Sequence, residues 1–566
     1  MKSEKNPNFH IFLLIGAFGL ALAFRLVRLG VYPLGDLEAE IALQAQAAAQ
    51  GTQVKFGPFM SAVGLTGINF FIFTSSNFLA RFWTAIFGTC IVFVPFLYRE
   101  KLGYWPATVA SLALAIAPDM VGLSRIVGSP MMALVCLLLA VGLFVKQKSI
   151  LSGVMLALGL MSGAGFWLGT TILMLSGLAF GWLFKENRSL LKLSLTENKN
   201  SWVKFGLSFI TTIGVIGTSF FLARGGLAGV FSGLVSFVEG FRQSYTSPFF
   251  LLPLSLILYT LPALILGIWG SLRGLLLRSE VDLFLLVWWV VGIIVVFLYP
   301  GSNPADIVWV TFPLWILAAR VLCFTLHLPE DNRLVMNITS VVVVLIFAFI
   351  FLALSSLGSQ ALTREQQVSS LIAVFGGAVL LVAIVLMVNF SWSEQIALPG
   401  LLIGLVVVFS AMMISMSVKS SSLGSEGGYA FWYPDEPSYS TKWLQVSLER
   451  VFDMNKTITP AIEIAVTDYQ SPAMVWALRD YAPVHFDAFV PPQFQPGIII
   501  TDVQESPELT NSYRGQDLVW SQQVAWQEMN VGQYLQWVLS GTAPTLNEEI
   551  IFWVRTDLMA DEQFVP

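Results

Sequence analysis

The chain has 566 residues, 56% of them hydrophobic and only 11% charged, with a mean hydropathy of +0.74. Repeated apolar runs of about 20 residues match the thickness of a bilayer core, which excludes an ordinary soluble protein. From Lys419 onward 7 Lys and Arg face 19 Asp and Glu, a net of −12, whereas the remainder holds 23 against 16, a net of +7. A basic membrane part joined to an acidic, soluble-looking tail gives two domains, 1–418 and 419–566, and no basic patch outside the membrane flanks points to nucleic acid.

In chain order, apolar runs predict about thirteen spans, near 10–29, 79–98, 104–118, 130–146, 150–163, 165–184, 203–223, 247–271, 281–299, 306–326, 335–354, 368–389 and 396–417. The first is read as a retained anchor. Its Ala21–Ala23 resembles a cleavage signal, but Arg25 and Arg28 follow at once without a polar cleavage region. Next comes a loop, "YPLGDLEAEIALQAQ" (Tyr32 to Gln46), with three carboxylates, Asp36, Glu38 and Glu40. They suit a helix start, with Asp36 as N-cap, acids in the first turns and an end at Gly51, a pattern that stabilises by about 0.5–2 kcal/mol without any chemistry. Pro58 to Ser75 is apolar but short, and is read as re-entrant or interfacial. Gly163-Ala164-Gly165 marks a place where one helix could be broken in two.

Lys2, Lys5, Arg99, Lys101, Lys146, Lys148, Lys185, Arg188, Lys192, Lys199, Lys204, Arg273, Arg278 and Arg333 all fall on one side of the alternating spans. Cytoplasmic loops carry the excess of Lys and Arg, so that side is cytoplasmic. Residues 30–78, 119–129, 224–246, 300–305, 355–367 and everything after 418 then face the opposite side of the cell membrane. Cys90, Cys136 and Cys323 are scattered within apolar stretches, and His10, His327 and His485 are equally dispersed, against a thiol- or histidine-based metal site.

The tail reads as a small α/β domain. Ala461 to Val466, Gly497 to Asp502 and Ile550 to Val554 are predicted strands. Ser471 to Tyr481 is a predicted helix with Ser471 as N-cap and Pro472 at its first position, and Val531 to Leu539 is another. The tail has neither a Gly-rich phosphate loop nor a His/Cys cluster, so chemistry is expected elsewhere.

Ionisable residues of transporters usually sit mid-span. Here the predicted span interiors are almost free of acids, with Glu280, Asp282 and Asp306 at predicted ends. Polar residues gather instead in the outer loops: Asp36, Glu38, Glu40, Lys55, Asp119, Arg125, Arg224, Glu239, Arg242 and Tyr245. That suits a site where a lipid phosphate meets a water-borne acceptor.

The order of "PLGDLEAEIALQAQAAAQG", "FGPFMSAVGLTGINFFIFTSS", "ARFWTAIFGTCIVFVPFLYREKLG" and "AIAPDMVGLSRIVGSPMMALVCLLLA" resembles the GT-C membrane glycosyltransferases of the protein-mannosyltransferase and aminoarabinose-transferase type. It is closest to the prokaryotic branch related to the archaeal flippase-associated protein. In the tail, "SPAMVWALRDYAPVHF", "YRGQDLVW" and "IIFWVRTDL" resemble that branch's extracytoplasmic domain. The resemblance implies a polytopic helical GT-C-like fold with a C-terminal extracytoplasmic α/β domain. It implies a polyprenyl-phosphate sugar donor and inverting attack by a hydroxyl of a glycan, lipid or protein acceptor.

A carboxylate of the first outer loop would be the base, and Arg or Lys would hold the departing phosphate. The family's acid maps onto Asp36 or Glu38, because Leu37 separates what is usually an adjacent pair. Asp36 is preferred as base, with Glu38 orienting a substrate or, with Asp36, binding a divalent ion such as magnesium or manganese. Arg81, Arg125 and Arg242 are the candidates for the donor phosphate, and Asp119 and Tyr245 for substrate. Arg81 could equally anchor the interface, and Arg242 and Tyr245 could be plain loop residues. Ser129 stands where the family commonly has an acid, unless Asp119 substitutes. A catalytically silent relative that assists assembly or flipping of lipid-linked glycans is the second reading, and a solute transporter the third.

Overall fold

The computed structural model describes residues 7–184, 199–244, 250–326, 332–357, 364–421, 436–437, 441–455, 462–467, 470–481, 483–491, 493–503, 511–540 and 542–559. Among the described residues the membrane part is helical throughout. It begins with α1 (Pro7–Leu26), α2 (Asp36–Gln50), α3 (Met60–Ile72), α4 (Asn77–Thr89), α5 (Phe93–Leu97), α6 (Arg99–Leu102), α7 (Tyr104–Ile116) and α8 (Pro118–Ser124). There follow α9 (Met131–Val145), α10 (Ser149–Leu160), α11 (Ala164–Leu183), α12 (Lys199–Gly217), α13 (Ser232–Gly240) and α14 (Leu251–Leu277). The part closes with α15 (Glu280–Leu298), α16 (Val308–Thr325), α17 (Arg333–Leu357), α18 (Arg364–Ser391) and α19 (Glu394–Ser420).

Each of the thirteen predicted spans is a helix or a run of helices. Nine helices among the described residues are long and apolar enough to cross a membrane, or ten if the bent pair α7–α8 counts as one. The remaining predicted spans are α9 and α10, shorter than about 20 residues, and α12. This is a multi-pass membrane protein. Of the basic residues used for orientation, Lys2, Lys5, Lys185, Arg188 and Lys192 lie outside the described residues, as does His327.

The predicted break after α10 is real. Gly163 adopts φ +94, a conformation that L side chains rarely tolerate, and separates α10 from α11. A second break lies between α7 and α8, which meet at 56°. Pro118 has no N–H, so the carbonyl of Leu114 loses its helical partner. Arg25 of α1, fully buried, supplies the substitute: Nη2 donates to Leu114 O at 3.2 Å and Nη1 to Ala115 O at 3.1 Å, while Nε donates to Ser124 Oγ at 3.0 Å. In return Arg125 caps the end of α1, its Nη1 donating to Phe24 O, Arg25 O and Val27 O at 3.0, 3.1 and 2.9 Å. Two arginines thus lock α1 to the kinked α7–α8 unit through groups that each helix end leaves orphaned.

After α19 come β1 (Glu436–Pro437), α20 (Thr441–Met454), β2 (Ile464–Thr467), α21 (Pro472–Leu478), β3 (Val484–Asp487), β4 (Ile498–Asp502), β5 (Tyr513–Val524), α22 (Val531–Ser540) and β6 (Thr545–Arg555). They form one six-stranded sheet in the order β1-β5-β6-β4-β2-β3, with β2 parallel to both β3 and β4 and the other pairs antiparallel. The three predicted strands and both predicted helices are present, although Ala461 lies outside the described residues. Ser471 is the N-cap of α21 as expected, its Oγ accepting from Met474 N at 3.2 Å. The sheet also contains β1, β3 and β5, and α20 lies between β1 and β2, none of which the sequence reading named.

This domain stands on the membrane part with two feet. The first is α21: the Trp476 indole donates to Asn77 Oδ1 at 2.8 Å and stacks on Phe70, and Arg479 Nε donates to Ser75 Oγ at 3.3 Å. Burial lowers the Arg479 guanidinium below its ordinary value, with Asp480 pulling the other way. The second foot is α22, whose end carbonyls Val538 O and Leu539 O each accept from Lys419 Nζ at 2.8 Å. There Trp537 meets Tyr259 edge-on, next to the kink that Thr260 and Pro262 put into α14.

Candidate active site

The loop region that follows α1 is organised around α2. Its N-cap is Gly35, so the expected capping by Asp36 does not occur; Asp36 is the first helical residue. Its Oδ1 accepts from the backbone N–H of Ala473 at 3.0 Å. The carboxylate therefore satisfies an orphan donor of α21, a helix more than 430 positions away, and ties the loop to the C-terminal domain. Ala39, Ala42, Ala45 and Ala48 recur every third residue and are all buried, so that α3 approaches closely at Gly67. Gly51 takes φ +70 and closes α2, and Gln44 Oε1 accepts from Gly57 N at 2.9 Å, folding the following segment back.

Glu38 and Arg81 form a buried ion pair, 4% and 5% exposed. Glu38 Oε1 accepts from Arg81 Nε at 3.0 Å and from Val127 N at 2.8 Å, and Oε2 accepts from Arg81 Nη2. The remaining guanidinium protons reach Leu29 O, Tyr32 O and Pro33 O at 3.3, 3.0 and 2.9 Å. Sequence reading gave Glu38 to substrate or metal and Arg81 to phosphate. The structure brings the two together, each the other's partner, and their geometry holds the loop between α1 and α2 in place. Arg125, the second phosphate candidate, faces the end of α1 as described above. Asp119 is fully buried against α16, where Thr311 Oγ1 donates to its Oδ2 at 2.6 Å. Arg242 is exposed just beyond α13, and Tyr245 lies outside the described residues.

A cavity of about 230 Å³ opens beside this loop. Leu37 of α2, Phe59, Ser129, Ser162, Tyr299 and Asp306 are among its lining residues. The carboxylate beside the cavity that Ser129 lines thus comes from residues 303–306, far along the chain. There Asn303 and Asp306 form a capping box, with Asn303 N donating to Asp306 Oδ2 at 2.9 Å. Sequence reading placed Asp306 at a span end and did not list Tyr299 at all. The available signal was Asn303-Pro304-Ala305-Asp306, an N-terminal capping pattern beside a carboxylate on the expected outer side. Arg242 lies close to this wall in the chain, since Gly240 packs directly against Gly301 of the lining.

A divalent ion was expected on Asp36 and Glu38 if anywhere. Glu38 has both oxygens engaged by Arg81 and Val127, and among the described residues no three His, Cys, Asp or Glu side chains converge. These residues do not fit a resident metal.

The architecture, a kinked multi-helix membrane part capped at one end by an α/β domain that contacts α2, is a GT-C-like fold. The crystal structure of ArnT from Cupriavidus metallidurans bound to undecaprenyl phosphate has the same fold, at TM-score 0.53 and 13% identity, over 97% of this chain and 99% of that one. The apo form of the same protein superposes at TM-score 0.49, with the same identity and coverage. No family model matches the sequence, and no curated protein matches it.

Proposed function

We propose that this protein is a glycosyltransferase that moves a sugar from a polyprenyl-phosphate donor to an acceptor on the extracytoplasmic face of the cell membrane. The observation that carries this reading is the likeness in fold, over nearly the full length of both chains, to a protein bound to undecaprenyl phosphate. The charge asymmetry of the loops supports placing the C-terminal domain and the cavity outside the cytoplasm. The acceptor is a glycan, lipid or protein hydroxyl.

In this reading Asp36 is the general base. The acceptor O–H gives its proton to the Asp36 carboxylate and its oxygen bonds to the anomeric carbon. The bond from that carbon to the phosphate oxygen breaks on the opposite face, inverting the centre, and the electron pair leaves with polyprenyl phosphate. Arg242, an exposed cation near the cavity wall, takes the departing phosphate, whereas Glu38 and Arg81 act by positioning the loop that carries Asp36.

Purified full-length protein in nanodiscs is expected to release undecaprenyl phosphate from a radiolabelled undecaprenyl-phosphate sugar in the presence of acceptor extract. Asp36→Asn keeps an oxygen for the Ala473 N–H and removes the base, so release should fall by about 100-fold or more with folding intact. Equal turnover by Asp36→Asn would overturn the assignment of the base.

A second reading, a silent relative that assists assembly or flipping of lipid-linked glycans, is favoured by one observation. Asp36, Glu38, Arg81 and Arg125 are all engaged in contacts within the chain. Binding of lipid-linked glycan without release from any donor would support it.

A further inference from the structure

We propose that the cavity beside Asp306 is a binding site for the sugar ring itself, and that Asp306 is its specificity-determining hydrogen-bond acceptor. The inference rests on the donor class proposed above and names which part of that donor the cavity takes. Three features of the cavity wall lead to it.

The first is the state of the carboxylate. Asp306 is 7% exposed, Oδ2 is held by Asn303 N, and Oδ1 accepts no hydrogen bond among the described residues. No Lys, Arg or His pairs with it there. Oδ1 lies on the side of Gly165, 3.9 Å from where a Cβ on that residue would stand, and both residues line the cavity. A buried carboxylate with one oxygen open is costly unless something donates to it.

The second is the direction of the wall hydroxyls. Ser129 Oγ donates to Leu123 O at 2.6 Å, Ser162 Oγ donates to Gly159 O, and Tyr299 Oη donates to Phe237 O at 2.8 Å. Each hydroxyl proton is already directed to a backbone carbonyl, which leaves oxygen lone pairs as what these side chains offer a ligand. The third is the absence of any Lys, Arg or His among the described residues that line it.

Apart from the Asn303 amide, the polar side chains of the described wall offer acceptors around one carboxylate and no cation, which disfavours a phosphate, itself an anion built of acceptors. It suits a ligand rich in O–H donors. A pyranose or furanose ring is such a ligand: its hydroxyls can donate to Asp306 Oδ1 and to the serine oxygens, while Phe59 and Leu37 cover its apolar face. The phosphate must then lie outside the cavity, toward exposed cations such as Arg242. Leu37, the neighbour of Asp36 in α2, contributes to the wall, so the cavity and the proposed base share one turn of helix.

The test compares two kinds of lipid on the full-length chain in nanodiscs. One probe is undecaprenyl phosphate alone; the others are undecaprenyl-phosphate glucose, mannose and N-acetylglucosamine. The parent is expected to bind at least one sugar lipid about tenfold more tightly than the bare lipid. Asp306→Asn retains an oxygen for Asn303 N and should keep the fold and the affinity for bare lipid, yet lose that gain. Leu37→Trp, at a half-exposed position on the rim, should also remove the gain by filling the cavity. Equal binding of bare and sugar lipids by the parent, or an undiminished gain in Asp306→Asn, overturns the proposal. Failure of the parent to bind even the bare lipid instead overturns the polyprenyl-phosphate reading beneath it.

Discussion

At the scale of single residues, the acids of α2 divide by burial and partner. Their number and place were legible in the sequence, because three carboxylates in an apolar chain stand out. Their partners were not, since Glu38 and Arg81 are 43 positions apart and Asp36 and Ala473 are 437 apart. No local pattern encodes a pairing set by how helices pack. The pair has a measurable consequence. Glu38→Gln keeps the shape but leaves a buried guanidinium uncompensated, and it should lower unfolding stability by about 3–5 kcal/mol. Arg81→Lys, which cannot reach four acceptors from one point charge, should cost a similar amount. In a double-mutant cycle read by chemical denaturation in detergent, the two changes together should cost less than their sum, with a coupling of about 0.5–3 kcal/mol. Additive effects would show that the contact does not hold the loop. Asp36→Asn, by contrast, should leave stability unchanged.

At the scale of elements, long apolar helices were readable by length alone, and Gly163 announced the break between α10 and α11. The short strand β3, the largely polar β5 and the amphipathic α20 were not readable. Their residues alternate weakly, and the sheet is completed by pairing that the sequence does not display locally. The kink between α7 and α8 is half legible: Pro118 announces it, but Arg25, the side chain that makes it affordable, belongs to α1. Glycine geometry gives a test at this scale. A Cβ on Gly163 would lie 2.6 Å from the Phe59 ring at φ +94, so Gly163→Ala should destabilise by about 1–3 kcal/mol and disturb the cavity wall. Gly206, within α12, has nothing within 4 Å of an added Cβ. Gly206→Ala should be neutral or stabilise by up to about 1 kcal/mol. Thermal unfolding of the pair in one detergent checks both, and equal shifts would mean that the break at Gly163 bears no strain.

At the scale of the whole molecule, the sequence showed two domains by charge but not how they meet. The acidic domain rests on α2 through Asp36, on the start of α4 through Asn77 and the Ser75 before it, and on α19 through Lys419. One sheet carries both feet, so each foot holds the other near its partner, and docking should behave as bivalent binding within one chain. Hydrogen exchange can read the two feet separately. The Ala473 amide donates to Asp36, whereas the neighbouring Met474 amide donates to Ser471 within the domain. Asp36→Ala should therefore speed exchange at Ala473 by about tenfold, the loss of one charge-assisted bond, and leave Met474 unchanged. Asp36→Asn, which retains an acceptor oxygen, should show much less. Lys419→Met should loosen the end of α22 without altering Ala473, because the first foot still holds. Only the double variant, Asp36→Ala with Lys419→Met, should raise exchange at both feet beyond the sum of the single effects. If either single variant already frees both, the domain is held by one cooperative surface, and α2 and α19 answer to each other through the sheet that joins them.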